Sequence, residues 1–460
     1  MEPIKLQTLT ESECKKWQEN QPKTVINWLQ SAGFTGASGQ VLMIPGENSV
    51  LQTVLCGAGP RRQLWTLGGV SARLGPGRYQ LDEDWDDPMI RQMALGFRLG
   101  QYRFDRYKKV PDQQVELVIP KPWREEIDQL TAATTLVRDL VNTPAEHMGP
   151  AALTEAAGVL VNEHAPSATL NEVVGEQLLA QNFPAIHVVG RAADQAPRLI
   201  EMRWSPPQDQ HDDKAVAKDL PVIALVGKGV CFDSGGLNMK GASGMSLMKK
   251  DTGGAAHVLG LAQLIMQSAL PVRLVVLISA VENAVSGNAY RPGDVIATRK
   301  GTSVEIGNTD AEGRLVLSDA LTYACEMSAD LVVDFATLTG AARVALGPDV
   351  PPFFTNQQAV AEDLMLASEA VDDPLWQLPL HQPYRQMLGS NIADFNNVGG
   401  SGFAGCITAA LFLEHFVTKS TPWVHIDTYA WNQGDRPGRP KGGEALGLRA
   451  VFEWLKGRYA

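Results

Sequence analysis

Apolar residues in the first 120 positions come in short runs broken by Gly/Pro turns. Val50–Cys56, Gln63–Leu67 and Val115–Ile119 read as strands, Met89–Leu99 has helical spacing, and Pro120-Lys-Pro122 closes the stretch. The rhythm then changes. Ile127, Leu130, Ala133, Leu136, Leu140 and Val141 recur near a helical period, which predicts an amphipathic helix over 123–141, ended by Asn142-Thr-Pro144. From residue 150 onward, continuous apolar runs of buried-strand type (Val222–Val226, Leu274–Ala280, Leu331–Phe335, Trp423–Ile426) alternate with helical segments (Thr252–Ser268, Ala311–Met327, Gly405–Val417). The polar stretch Ser205–Asp219 reads as a surface loop.

This alternation predicts an α/β fold: a C-terminal catalytic domain with a mixed central sheet covered by helices, preceded by a smaller α/β N-terminal domain. The expected boundaries are a small domain over 1–122, a connecting helix over 123–145 and a larger domain over 146–460. A chain of 460 residues is long enough for two or three domains.

Charge and cysteine usage narrow the function classes. A net charge of −11 argues against nonspecific nucleic-acid binding, and the basic stretch Tyr102–Lys109 reads as a solvated face. Five cysteines without CxxC spacing fit free thiols in a reducing compartment. Cys231 is expected to pack inward. The polar N-terminus has no signal-peptide apolar core and no apolar run approaches a membrane span, so the expected location is the cytoplasm, with no membrane partner.

The candidate chemistry lies in acidic residues beside glycines. Asp310, Glu312 and Arg314 sit in Asn308-Thr-Asp-Ala-Glu-Gly-Arg-Leu315. Asp233 lies in Val226-Gly-Lys-Gly-Val-Cys-Phe-Asp-Ser-Gly-Gly236, and Asp251 in Met248-Lys-Lys-Asp-Thr-Gly-Gly254. The candidate ligands at 228–240 and 251 follow the strand at 222–226, on the carboxyl-end side where α/β sheets bind ligands. Four converging carboxylates would raise one another's pKa values unless cations balanced them. Two divalent ions would do so and would suit a hydrolysis. Carboxylate ligands do not select among Zn²⁺, Mn²⁺, Co²⁺ and Mg²⁺. Each acid has a second reading, with Asp310 and Asp251 as helix N-caps, Glu312 as a first-turn residue and Asp233 as a turn residue. Lys228 between two glycines is either a surface residue or a phosphate binder. No histidine pair has metal-ligand spacing, and His257, His415 and His425 sit in apolar segments.

The joint pattern resembles the cytosol (leucyl) aminopeptidase family. The resemblance rests on Asn308–Leu315, Gly227-Lys-Gly229, Phe232-Asp-Ser-Gly-Gly236, Lys240, Asp251-x-Gly-Gly-Ala-Ala256 and Ala336-Thr-Leu-Thr-Gly-Ala341. It covers roughly 125–460 and is faint before that, chiefly in Tyr102-Arg-Phe-Asp105. It implies two metal ions per subunit, one held by Asp233, Asp310 and Glu312 and the other by Lys228, Asp233, Asp251 and Glu312. It assigns Lys240 to the scissile carbonyl and Arg314 to a bicarbonate ion acting as general base. Substrate contacts fall to Met248, Asn308, Ala311, Thr337, Leu338 and Gly340. The implied activity is removal of N-terminal residues from peptides with a free N-terminus, in a homohexamer. A Cys-Gly-type dipeptidase and a regulatory or DNA-binding protein on the same scaffold are the alternatives.

Three departures from the family stand out. Thr252 replaces the usual Met, His425-Ile-Asp-Thr-Tyr-Ala-Trp431 replaces a His-x-Asp-Ile-Ala-Gly pattern, and Lys441–Gly447 replaces a Gly-Ala-Thr-Gly segment. These leave a preference for leucine open. Tyr429 and Trp431 either reshape the side-chain pocket or pack in the core.

Overall fold

A computed structural model of the chain describes residues 2–46, 50–111, 114–207 and 219–460. Most of the expected loop Ser205–Asp219, residues 208–218, lies outside the described residues. The chain forms two compact units, residues 1–135 with 432–442, and residues 136–431 with 443–460.

The first unit is built on a five-stranded sheet of β1 (Ile4–Thr10), β2 (Val41–Pro45), β3 (Leu51–Gly59), β4 (Gly77–Leu81) and β5 (Val115–Val118), in the order β2-β3-β1-β4-β5. Its strands alternate between two cores. Leu6, Val54 and Cys56 face a cluster with Phe97 and Leu99 of the helix Pro88–Gly100, whereas Leu9 and Leu55 face one with Cys14 and Leu29. The expected strand Gln63–Leu67 is instead a 3-10 turn at Leu64–Leu67. Leu64 and Leu67, three residues apart, are both fully buried, a spacing that suits a 3-10 turn. The turn closes locally through Gln63 N donating to Thr66 Oγ1.

The second unit is organised by an eight-stranded mixed sheet. Its strands are β6 (Thr169–Val174), β7 (Arg198–Trp204), β8 (Val222–Asp233), β9 (Arg273–Asn283), β12 (Leu331–Ala336), β13 (Pro352–Thr355), β14 (Trp376–Gln377) and β16 (Trp423–Asp427), in the order β14-β13-β16-β12-β8-β9-β7-β6. A separate small sheet joins β10 (Val295–Ala297), β11 (Ser303–Glu305) and β15 (Phe395–Asn396). The central strands β16, β12, β8 and β9 run parallel. They are buried on both faces, which explains their unbroken apolar runs. The helices Glu312–Glu326 and Gly405–Phe416 share one core with Ala224 and Val226, and the apolar helix Gly253–Gln267 also packs on β8 and β12.

One feature of this sheet makes the site. Strand β8 pairs with β12 only as far as Gly227, yet continues along β9 to Asp233. Lys228 and Asp233, expected in a loop after the strand, therefore ride on the strand itself. The extension forms because β9 also runs on, pairing through Glu282 and Asn283. Beyond Gly227 a crevice opens between β8 and β12 at their carboxyl ends, as expected for such sheets.

Among the described residues no helix is long and apolar enough to cross a membrane. The five cysteines are unpaired, and Cys231 is buried.

Candidate metal centre

Glycines let three elements converge on the crevice. A Cβ at Gly254 would lie 2.2 Å from Phe335 O and 2.9 Å from Lys228 N, so the helix Gly253–Gln267 starts hard against both strands. A Cβ at Gly313 would lie 2.7 Å from Lys228 Cε, so only glycine leaves room for that side chain. Gly235 and Gly236 turn the chain after Asp233 with φ of 88° and 62°.

Ligand oxygens of Asp233, Asp310 and Glu312 come within 4.8 Å of one another. Asp251 joins them through Lys228, whose Nζ lies 2.6 Å from Asp251 Oδ2 and 2.8 Å from Glu312 Oε1 and donates to Thr337 O at 3.0 Å. Lys240 Nζ pairs with Asp233 Oδ2 at 2.7 Å and with Asp310 Oδ1. Lys228, Asp233, Asp251 and Glu312 are all 2% exposed or less, which puts their charges out of reach of bulk water.

The bland readings fare unequally. The helix Glu312–Glu326 has Ala311 at its N-cap position without a side-chain cap, and Gly253–Gln267 likewise has Thr252, so neither Asp310 nor Asp251 caps a helix. Glu312 does open its helix, where a carboxylate is favoured. Asp233 does serve its turn, since Gly235 N donates to its Oδ1 at 2.9 Å. The histidines are held by protein groups. Leu446 N donates to His257 Nε2 at 3.0 Å, which leaves Nδ1–H to donate to Gly253 O at 2.6 Å. His425 Nδ1 pairs with Asp334 at 2.6 Å, and His415 Nε2 bonds Thr302 Oγ1 at 3.0 Å.

The electrostatics fit a cation site. Burial and the nearby Asp233 push Glu312 up to about 8 and Asp310 up to about 6. Asp251 stays low, because Lys228 and Lys250 outweigh its burial. Lys228 is itself raised: against burial, Asp251, Glu312 and Asp233 hold its proton. Glu312 Oε2 is buried with no hydrogen-bond partner. Asp251 Oδ2 and Asp310 Oδ1 touch lysine ammonium groups but off a hydrogen-bond direction. Inward-facing carboxylate oxygens without donors, two of them on acids whose ionised form burial and the nearby Asp233 disfavour, are what a divalent ion would complete.

The other expected residues lie around this centre. Arg314 is buried two residues after Glu312 on the same helix, and burial lowers it to about 10. Its Nη1 donates to Asn397 O at 2.6 Å, while its Nε is buried without a partner. Asn308 Oδ1 accepts from Asp310 N at 2.8 Å, and half-buried Ala311 precedes Glu312. Thr337 Oγ1 donates to Asp251 Oδ1 at 2.6 Å. Half-buried Leu338 and exposed Gly340 follow it, and Met248 opens the 3-10 turn that carries Asp251.

Several supporting residues fall outside the assigned site residues, although Asp427 lies in the His425–Trp431 segment. Asn283, at the end of β9, donates from Nδ2 to Asp233 Oδ1 at 2.9 Å and to Thr309 O at 3.0 Å. Asp427 accepts from Leu338 N at 2.9 Å, Thr339 N at 3.1 Å and Thr339 Oγ1 at 2.6 Å, which fixes the segment after β12. Asn397 Oδ1 accepts from Gly307 N at 2.8 Å and Asn308 N at 3.2 Å. A polar side chain ending an apolar strand, as in Asn283 and Asp427, was the available cue. Tyr429 and Trp431 are each 7% exposed, and cations flank both: Arg343 lies 4.5 Å from the Tyr429 ring centre and Lys249 5.6 Å from that of Trp431.

Known proteins resemble this chain in sequence and fold. A family model described as "Cytosol aminopeptidase family, catalytic domain" matches residues 135–452, and one described as "M17 aminopeptidase, N-terminal domain" matches residues 4–120. The second match extends to the N-terminal part, where the motifs are faint. A sequence of Synechococcus sp. (strain CC9902) named "Probable cytosol aminopeptidase" is 36% identical over 459 residues, covering 94% of this chain and 91% of its own. The crystal structure of the cytosol aminopeptidase from Coxiella burnetii superposes with a TM-score of 0.94 at 46% identity, covering 100% of this chain and 98% of the other. The bottromycin maturation enzyme BotP in complex with Mn gives 0.87 at 31% identity, covering 99% of each chain.

Proposed function

The chain belongs to the cytosol aminopeptidase family, and from that premise we propose that this metal-dependent aminopeptidase hydrolyses the N-terminal peptide bond of peptides with a free α-amine. The observation that carries the reading is the convergence of Asp233, Asp310 and Glu312 with buried oxygens that lack donors. In this reading Asp233, Asp310 and Glu312 hold one divalent ion, and Lys228, Asp233, Asp251 and Glu312 hold the other. Zinc or manganese is the proposed metal, with cobalt or magnesium as alternatives. Bound there, the ions supply Lewis acidity to the substrate's amine and carbonyl oxygen and lower the pKa of water at the site.

The chain's own groups divide the remaining tasks. Lys228 would ligate as a neutral amine, giving up the proton that Asp251, Glu312 and Asp233 hold on it. Lys240, drawn by Asp233 and Asp310 to the rim of the cluster, keeps its proton and donates to the carbonyl oxygen as that oxygen becomes negative. Arg314 holds a bicarbonate ion whose chemistry is that of a general base, and its partnerless Nε is the donor available for an anion. Asp427 fixes the backbone of Leu338 and Thr339, so that Thr337, Leu338 and Gly340, with Met248, Asn308 and Ala311, receive the peptide. We place the enzyme in the cytoplasm as a homohexamer.

Peptide length separates this reading from the dipeptidase alternative. The metal-loaded enzyme is expected to shorten a leucine-initiated hexapeptide one residue at a time from its N-terminus, read by mass spectrometry. Cleavage confined to dipeptides would replace the aminopeptidase reading with the narrower one.

A further inference from the structure

Three cations, Lys249, Lys250 and Arg343, gather around Tyr429 and Trp431 beside Asp251. Two of them are satisfied by backbone oxygens. Lys249 donates to Asn142 O at 2.6 Å, and Arg343 donates to Thr339 O at 2.9 Å. Lys250 is different. Its side chain is 4% exposed, and among the described residues its ammonium has no hydrogen-bond acceptor. The nearest acid, Asp251 Oδ1, lies 3.7 Å away, and the Tyr429 ring centre lies 5.3 Å away.

Asp251 is not free to serve it. Its Oδ1 accepts from Thr337 Oγ1 at 2.6 Å, and its Oδ2 lies 2.6 Å from Lys228 Nζ. Arg343, 4.5 Å from the centre of the same Tyr429 ring, adds a second positive charge and no acceptor. A buried ammonium without an acceptor is costly, and folded proteins supply such groups with a partner. The anion beside Lys250, Asp251, is shared with Lys228 and gives it no hydrogen bond, so what is missing is a second acceptor.

We infer that Lys250 is a specificity-determining residue that pairs with the side-chain carboxylate of an N-terminal glutamate or aspartate. The inference deepens the aminopeptidase reading and rests on it. In that reading Asp251 helps hold one of the two ions that take the substrate's α-amine and carbonyl oxygen. The N-terminal side chain springs from the same carbon as that amine, and Lys250 precedes Asp251 on the same 3-10 turn. A carboxylate one or two methylenes from that carbon meets the unpartnered ammonium, with Arg343 across the Tyr429 ring. A neutral side chain of the same shape leaves the charge unpaired, and a site built this way discriminates strongly.

The test compares kcat/KM for glutamyl and glutaminyl anilides on the metal-loaded full-length protein, wild type and Lys250→Met, with a leucyl anilide alongside. Glutamine keeps the shape of glutamate and removes its charge. The wild type is expected to favour the glutamyl substrate by roughly tenfold or more. That ratio is expected to fall to about one in Lys250→Met, to which a charge-assisted bond is lost. Calorimetric titration with free glutamate and free glutamine should give the same order without turnover. Equal glutamyl and glutaminyl values in the wild type would overturn the inference even if the variant failed to fold. Cleavage of the leucyl substrate in that case would leave the aminopeptidase reading standing. If the protein holding its metals cleaved no free-amine anilide at all, the aminopeptidase reading would fall and this inference with it.

Discussion

Asp251→Ala is expected to lose one divalent ion per subunit and all measurable turnover, whereas Lys240→Ala and Arg314→Ala keep both ions and lose rate alone. The division follows from where each side chain sits. Asp251 is buried, and its Oδ2 lies beside Lys228, which bridges it to Glu312. Removing it deletes a ligand and leaves the lysine with one acid fewer. Lys240 is a rim cation paired to Asp233 and Asp310, and Arg314 is anchored on Asn397 O. Loss of Lys240, the proposed donor to the developing oxyanion, should lower kcat roughly a hundred- to a thousandfold. Loss of Arg314 should cost roughly 10²- to 10⁴-fold, the range for general base catalysis. Metal analysis of each purified variant beside its kcat checks this, and equal metal loss in all three would end the assignment of separate roles.

Gly254→Ala is expected to be strongly destabilising. The added Cβ would meet Phe335 O at 2.2 Å and Lys228 N and O at 2.9 Å. All three are backbone atoms of central strands, so no side chain can swing aside. Overpacking of this kind costs about 3 kcal/mol or more, and relief requires the helix Gly253–Gln267 to move off β8 beside Lys228. Gly244→Ala is the control, because nothing lies within 4 Å of its added Cβ. That change should alter stability by about 0.5 kcal/mol at most. Thermal unfolding of the two variants beside the wild type decides the matter, and a wild-type midpoint for Gly254→Ala would mean that the helix does not pack this closely.

What the sequence made legible is local. The apolar runs at Val222–Val226, Leu274–Ala280 and Leu331–Phe335 are strands because burial on both faces demands unbroken apolar residues. Gly254 and Gly313 stand where backbone or Lys228 comes close, which a motif records but does not explain. Properties set by distant partners stayed hidden. The continuation of β8 through Lys228 to Asp233 depends on pairing with Glu282 and Asn283, some fifty residues later in the chain. Leu64–Leu67 reads as a short apolar run like a strand, but its core contacts favour a 3-10 turn. Asn283, Asp427 and Asn397 look like ordinary polar residues until their partners are seen. The burial of Lys250 runs against the usual exposure of lysine, and no local pattern announces it.

The central claim is that paired divalent ions in this crevice read a free α-amine. Its most direct test is hydrolysis of leucyl anilide beside its N-acetylated twin, by metal-stripped enzyme before and after addition of Zn²⁺, Mn²⁺ or Co²⁺. The account predicts no cleavage of either without metal, and restored cleavage of the free-amine substrate alone. Cleavage of both substrates after metal is restored, or of the free-amine substrate with metal removed, would contradict it.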